Sequence, residues 1–310
     1  MKIAFFEVKL EEKEFFQKHL KGLDLELFFF SHSLSEKDKG DFDVLSIFIH
    51  SKITVSVLDN FPNLKYIQTR STGYDHIDLV ECYRRGIFVS NVRGYAGPAV
   101  GEFAFGLLLE ALRKIFVAIN RLKVGSTDYM DLKGREIKGK TIGILGLGHI
   151  GKSIAKIAKG FGANVVGFVR DVSKCKDVEC YGNLEEVLKK SDILFIALPL
   201  TPKTKNLINK SNIDKFKGDI IINPARAEII EEDVYEDFKG IIAADVLPNW
   251  ELAKKDNIIA TPHMAYYTKE ALDRILRISL DNLNDFLNHN KPRFCLQEVC
   301  KIEYNFKDEK

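Results

Sequence analysis

The chain has 310 residues, 46 Lys and Arg against 44 Asp and Glu, and a formal net charge of +2; 45% of residues are hydrophobic. So even a charge balance offers no basic surface for nucleic acid or an anionic membrane, and the apolar content excludes disorder as the main state. At roughly 150 residues per domain the length predicts two domains.

Two series of strand-like apolar runs follow one another along the chain. The first covers 2–6, 25–30, 44–48, 65–68 and 87–90, with helical patterns at 11–21 and 77–85 between them. The spacing then predicts one long helix over 102–121. Its apolar stretch 103–109 ends at Glu110, far short of the roughly 20 residues that span a bilayer. The second series covers 141–145, 165–169, 193–198, 220–223, 241–245 and 258–260. A second long helix is predicted over 268–288, where Leu272, Ile275, Leu276, Leu280, Leu283 and Leu287 recur at helical spacing. The tail after Pro292 reads as a surface segment. Short all-apolar runs alternating with helices indicate parallel sheets covered on both faces, so the fold class is α/β with two doubly wound domains.

Glu7 interrupts the apolar start too early for a secretory leader, so a cytoplasmic protein is expected. The five cysteines, Cys82, Cys175, Cys180, Cys295 and Cys300, include no C-x-x-C and no companion His nearby. Free thiols are expected and a metal site is not.

The strongest local signal is Gly146-Leu147-Gly148-His149-Ile150-Gly151, placed after the strand at 141–145 and before a helical run carrying Ile154, Ile157 and Phe161. A bare G-x-G-x-x-G means little, but in a strand–helix–strand setting it is the dinucleotide fingerprint. The glycines permit a tight turn, and the helix N-terminus offers N–H groups to a pyrophosphate. An acidic residue at the end of the next strand would hydrogen-bond the ribose diol of NAD(H) and repel a 2′-phosphate. That position is Val169, followed by Arg170, whose planar fork suits a 2′-phosphate. NADP(H) is therefore favoured over NAD(H), with Asp171 reaching the ribose as the alternative.

Three later strand ends carry chemistry: Asn223-Pro224-Ala225-Arg226, Ala244-Asp245 and Thr261-Pro262-His263. In open parallel sheets ligands bind beyond the carboxyl ends of the strands, so an Arg and a His there can serve one reaction. In the first series, Arg70-Ser71-Thr72-Gly73-Tyr74-Asp75 is a polar turn directly after a strand, and its backbone N–H groups could form a small nest for an anion.

Together these segments resemble the D-isomer-specific 2-hydroxyacid dehydrogenase family over roughly residues 40–290. The resemblance rests on 71–78, Val100-Gly101-Glu102, the glycine motif, 199–202, 223–226 and 261–263. Tyr95 and the run 263–268 make the chain most similar to the D-lactate dehydrogenase branch. The resemblance implies a Rossmann cofactor domain (99–267) inserted in a flavodoxin-like substrate domain (1–98, completed by 268–310). It implies that Arg226 holds the substrate carboxylate and polarises its carbonyl, and that His263 is the acid–base. Thr72 and Gly73 would bind the carboxylate, while Tyr95 and Tyr266 would wall the side-chain pocket. Two bulky rings favour a small 2-keto acid such as pyruvate, with hydroxypyruvate and glyoxylate open. His149, Ile150, Leu198, Pro199, Thr204, Pro224, Ala225 and Asp245 would contact the dinucleotide, and a homodimer built around the 102–121 helix is implied.

The chain departs from the family pattern in two places. A Glu is expected five residues after Asp245, to orient the catalytic His. Trp250 stands there, and Glu251 follows one residue late. Either Glu251 reaches His263 or that partner is missing. The missing partner would suit a second reading: a dinucleotide-sensing binding protein with the same fold and little turnover. Ala227 also replaces the Gly that usually follows the Arg.

Overall fold

The computed structural model describes residues 1–297 and 299–300. In chain order its first elements are β1 (Lys2–Phe5), α1 (Leu10–His19), β2 (Glu26–Phe29), β3 (Val44–Ile47), α2 (Val55–Asp59), β4 (Tyr66–Thr69), α3 (Leu79–Arg84) and β5 (Phe88–Ser90). Next come α4 (Gly97–Arg113), α5 (Ile115–Lys123), β6 (Thr141–Leu145), α6 (His149–Gly160), β7 (Asn164–Phe168), β8 (Glu179–Tyr181), α7 (Leu184–Lys190) and β9 (Ile193–Ile196). The last are β10 (Ile220–Asn223), α8 (Glu232–Asp237), β11 (Ile241–Ala244), β12 (Ile258–Ala260) and α9 (Lys269–His289). The chain divides into two compact units: Met1–Tyr95 with the stretch that begins at Thr268, and Ala96–Tyr267.

The first unit is built on a parallel five-stranded sheet of order β2-β1-β3-β4-β5, the flavodoxin-like order. Alternation along each strand sends neighbouring side chains to opposite faces. Ala4, Leu45, Ile47 and Ile67 pack on one face, and Ile3, Phe5, Val44 and Tyr66 on the other. Helix α9 belongs to this second layer through Leu283 and Phe286. Thr268 caps it by accepting from the Ala271 N–H at 3.1 Å.

The second unit holds a parallel seven-stranded sheet of order β12-β11-β10-β9-β6-β7-β8, the dinucleotide-fold winding with one strand added beyond its usual six. Ile142, Ile144, Phe195 and Ile222 face one core layer; Leu194, Ile196, Ile221 and Ile242 face the other. Among the described residues no helix is long and apolar enough to cross a membrane, and no His, Cys, Asp and Glu cluster could hold a metal ion.

Several sequence expectations need correction. The single helix over 102–121 is two helices, broken at Lys114, whose φ is 51°. Side chains stabilise the break: the Phe116 N–H donates to the Glu110 carboxylate at 2.9 Å and the Lys114 ammonium to the Asp131 carbonyl at 2.9 Å. Cys175 and Cys180 form a disulfide rather than two free thiols, while Cys82, Cys295 and Cys300 are in no disulfide. Strand β8 escaped notice because an edge strand of three residues with a Glu at its start has no apolar run. The tail is not all surface. Leu296 and Cys300 are buried in the first unit, and Leu296 donates to the Val89 carbonyl at 2.8 Å. The remainder of that expectation, 301–310, lies outside the described residues.

Candidate active site

The glycine motif makes the turn from β6 into α6. Gly146 has φ +94°, and a Cβ there would lie 2.8 Å from the Ala197 carbonyl oxygen. A Cβ on Gly151 would lie 1.9 Å from the Gly146 carbonyl oxygen, so the helix can approach the strand only without one. Gly148 caps α6 and has open space around it. His149 and Ile150 supply the first turn. The residues present therefore fit a pyrophosphate: a helix N-terminus with N–H groups facing an open approach.

Beyond β7, Val169, Arg170 and Asp171 line a cavity of about 840 Å³ together with Leu147, Lys152 and Lys156. The Val169 N–H is bound to the Tyr181 carbonyl at 3.0 Å. The Asp171 carboxylate accepts from the Ser173 N–H at 3.1 Å and the Ser173 hydroxyl at 2.6 Å, capping a short turn. Following β9, the Thr204 hydroxyl donates to the Pro199 carbonyl at 2.6 Å and accepts from the Thr201 N–H at 2.8 Å. That pair shapes the Leu198–Thr204 loop.

Strands β10, β11 and β12 end in register, with Asn223, Ala244 and Ala260 abreast. Arg226 stands three residues past the first of these and His263 three past the last. The Arg226 loop is fixed by Asn223, whose amide donates to the Arg226 carbonyl at 2.9 Å while its carbonyl oxygen accepts from the Ala225 N–H at 3.1 Å. The buried Tyr235 hydroxyl donates to the Ala227 carbonyl at 3.3 Å. Ala227 is accommodated without a positive φ, so the missing Gly leaves this turn undisturbed. Arg226 is half-buried, and its Nη1 donates to the Ala225 carbonyl at 3.0 Å.

His263 is held in the left-handed region, φ 55°, where a non-glycine residue persists only when its surroundings dictate it. Asp245 does so. It is 1% exposed. Its carboxylate accepts from the Thr261 hydroxyl at 2.6 Å and from the N–H groups of Met264 and Ala265 at 2.9 and 2.8 Å. Its carbonyl accepts from the His263 N–H at 2.7 Å. The sequence suggested Asp245 as a cofactor contact; the structure gives its carboxylate to the histidine loop. The His263 ring meets the half-buried Tyr266 ring edge-on at 5.9 Å.

Glu251 does not reach His263. It is exposed on a short 3-10 turn, and its carboxylate pairs with Lys254 at 2.6 Å. The stretch after Asp245 turns Trp250 outward (70% exposed) and carries Glu251 with it. Glu251→Gln is expected to leave kcat and the pH–rate profile of keto-acid reduction unchanged. A drop in rate with cofactor affinity intact would show that Glu251 acts on the histidine.

In the first unit the turn after β4 is fixed by side chains. The Thr72 hydroxyl donates to the Val92 carbonyl at 2.9 Å, the Asn91 amide to the Thr72 carbonyl at 2.7 Å, and the Ser71 hydroxyl to the Gly73 carbonyl at 2.7 Å. Among the described residues, the backbone N–H groups of Thr72 and Gly73 donate to no protein acceptor. Tyr95 is 5% exposed, and its carbonyl accepts from Arg274 at 2.8 Å. Asn223 was named from sequence within its segment but given no holding role, and Asn91 and Tyr235 were not singled out. For Asn91 and Asn223 a polar side chain at a strand end was the available signal; Tyr235, within α8, offered none.

Fold and site define a nicotinamide-dinucleotide oxidoreductase built on a Rossmann domain. The sequence model for the NAD-binding domain of the D-isomer-specific 2-hydroxyacid dehydrogenases matches residues 105–265. The chain is 36% identical to a glyoxylate reductase of Thermofilum pendens over 286 residues, 84% of each chain. It is also similar to a D-lactate dehydrogenase of Aquifex aeolicus solved with NAD and lactic acid (TM-score 0.82, 31% identity, 92% of this chain and 95% of that one). An acyclic imino acid reductase solved with NADPH and D-Arg gives a TM-score of 0.85 at 27% identity, covering 95% of this chain and 99% of that one. The chain belongs to the D-isomer-specific 2-hydroxyacid dehydrogenase family, whose members interconvert 2-keto and 2-hydroxy acids with a nicotinamide dinucleotide.

Proposed function

We propose that the chain reduces pyruvate to D-lactate with NADPH as the preferred donor. The observation that carries this is the pairing of Arg226 and His263 at the ends of β10 and β12, each on a loop fixed from beneath by a strand-end side chain, Asn223 and Asp245. When bound, the nicotinamide supplies hydride to C2. As the carbonyl π pair moves onto oxygen, His263 gives that oxygen its proton, and the imidazole recovers a proton from water. Arg226 polarises the carbonyl and pairs with the carboxylate through its fork. In the first unit, the unspent N–H groups of Thr72 and Gly73 take carboxylate oxygen. Tyr95 and Tyr266 are assigned to the substrate's methyl group. The likeness to a glyoxylate reductase favours glyoxylate as the second substrate reading. Initial rates with pyruvate, glyoxylate and hydroxypyruvate, each with NADH and NADPH, test the proposal. Saturable cofactor binding without turnover on any of the three would support the sensor reading instead.

Arg170 is assigned to the 2′-phosphate. Arg170→Ala is expected to raise KM for NADPH about 10- to 100-fold, the worth of a charge-assisted hydrogen bond of ~1.5–3 kcal/mol. KM for NADH should stay within about threefold, since that cofactor offers no phosphate there. An equal rise for both cofactors would remove the phosphate assignment.

We also assign a second copy of this chain to the α5 surface. None of the nine residues of α5 is buried, and Phe116 and Leu122 are 63% and 65% exposed. Apolar side chains clustered this way mark an interaction face. The double change Phe116→Glu, Leu122→Glu is expected to convert a sedimenting dimer into a monomer. A monomeric wild-type chain would overturn the assignment.

A further inference from the structure

Arg70 directly follows β4 and precedes the Ser71–Tyr74 turn. It is 1% exposed, among the largest fully buried side chains of the molecule. Its Nη1 donates to the Ser46 carbonyl at 3.0 Å and the Ser46 hydroxyl at 3.2 Å, and its Nη2 to the carbonyls of Phe6 and Glu7 at 2.8 and 3.0 Å. The guanidinium also lies 5.9 Å from the Phe48 ring. Every acceptor is formally neutral, and among the described residues Nε has no hydrogen-bond partner. Glu7 accepts from Arg70 through its carbonyl alone, and its carboxylate, like that of Glu12, acts on the guanidinium only through space. The Glu7 carboxylate accepts instead from the N–H groups of Phe48, His50 and Ser51 and from the Ser51 hydroxyl.

A buried guanidinium with no carboxylate hydrogen-bonded to it is costly, and a buried donor left unpaired adds to the cost. Neutral donors would serve the carbonyls of Phe6, Glu7 and Ser46 at less expense. Burial lowers the pKa of Arg70, yet an arginine remains charged at neutral pH. What the charge alone adds is a positive potential at the carboxyl ends of β1, β3 and β4. Two and three residues further along the backbone stand the N–H groups of Thr72 and Gly73, which no acceptor among the described residues takes.

We propose that Arg70 is a positioning residue for the substrate's carboxylate: it fixes the strand ends beneath the Ser71–Tyr74 turn, and its charge, hydrogen-bonded to neutral acceptors and paired directly with no carboxylate, favours an anion there. This rests on the assignment of the Thr72 and Gly73 amides to that carboxylate. Two variants separate charge from scaffold. Arg70→Met removes the charge. Glu12→Gln removes a negative charge that Arg70 feels and keeps a side-chain oxygen for the Lys9 N–H, which Glu12 accepts at 2.8 Å.

The substrates compared are pyruvate and pyruvamide, in which a neutral amide replaces the carboxylate. Arg70→Met is expected to raise KM for pyruvate about tenfold, as a lost charge interaction through a partly screened interior would. KM for pyruvamide and the Kd for NADPH should change less than about twofold, and Arg70→Lys should restore much of the pyruvate KM. Glu12→Gln should lower KM for pyruvate roughly twofold without affecting pyruvamide; it also gives the answer if Arg70→Met does not fold. Equal losses on both substrates in Arg70→Met, or no change in the pyruvate-to-pyruvamide ratio in Glu12→Gln, would overturn the role of Arg70. A wild-type enzyme that treats the two substrates alike would overturn the carboxylate assignment itself, and the role of Arg70 with it.

Discussion

His263→Asn is expected to lower kcat for keto-acid reduction by about 10²–10⁴-fold, the usual worth of a positioned general acid. Binding of NADPH should stay within about twofold. Asn is the informative replacement for a backbone reason. His263 sits at φ 55°, and Asn tolerates the left-handed region better than Ala or Gln does. The loop should therefore keep its hydrogen bond from residue 263 to the Asp245 carbonyl, and the variant removes the proton donor without removing the turn. An amide cannot supply a proton at neutral pH, so any residual rate reports polarisation by Arg226 and orientation of the substrate. Stopped-flow measurement of a single turnover separates the chemical step from product release. A single-turnover rate within tenfold of wild type would mean that the proton comes from another group.

The apolar runs made the sheets legible, because a strand buried on both faces leaves little choice of residue. The runs at 141–145, 220–223 and 258–260 coincide with β6, β10 and β12. Strand β8 and the break at Lys114 were illegible for opposite reasons. The first lacks the apolar signal of a central strand. The second lies within a continuous helical pattern and depends on where Glu110 and Lys114 place their charges. The glycine motif could be read because Gly146 and Gly151 answer to steric limits that hold wherever such a turn occurs. The fate of Glu251 could not. Whether a carboxylate one residue out of place reaches a histidine depends on the path of the loop, and the path chosen gives it to Lys254. The pairing of Cys175 with Cys180 likewise follows from the bend of the chain after β7, which the spacing of the two cysteines does not state.

Asp245→Asn is expected to destabilise the second unit by about 2–4 kcal/mol and to lower kcat by roughly 10–100-fold. The wild-type carboxylate accepts three hydrogen bonds while almost fully buried. An asparagine has one acceptor oxygen, and its NH₂ would face a donor in place of the second. At least one of the Thr261, Met264 and Ala265 donors then loses its acceptor in a place where water cannot replace it. Those three residues bracket His263, so the strain falls on the backbone that aims the imidazole. If Asp245 instead served to read the dinucleotide, its replacement would raise the cofactor KM, leave kcat at saturating cofactor near wild type and leave the melting temperature unmoved. A lowered melting temperature with a reduced kcat and a cofactor KM within about threefold is the signature of a residue that holds the histidine loop. Three of the roughly four acceptor sites of the carboxylate are taken by protein donors, so its first role is to hold the loop, and the two outcomes differ in both melting temperature and cofactor KM.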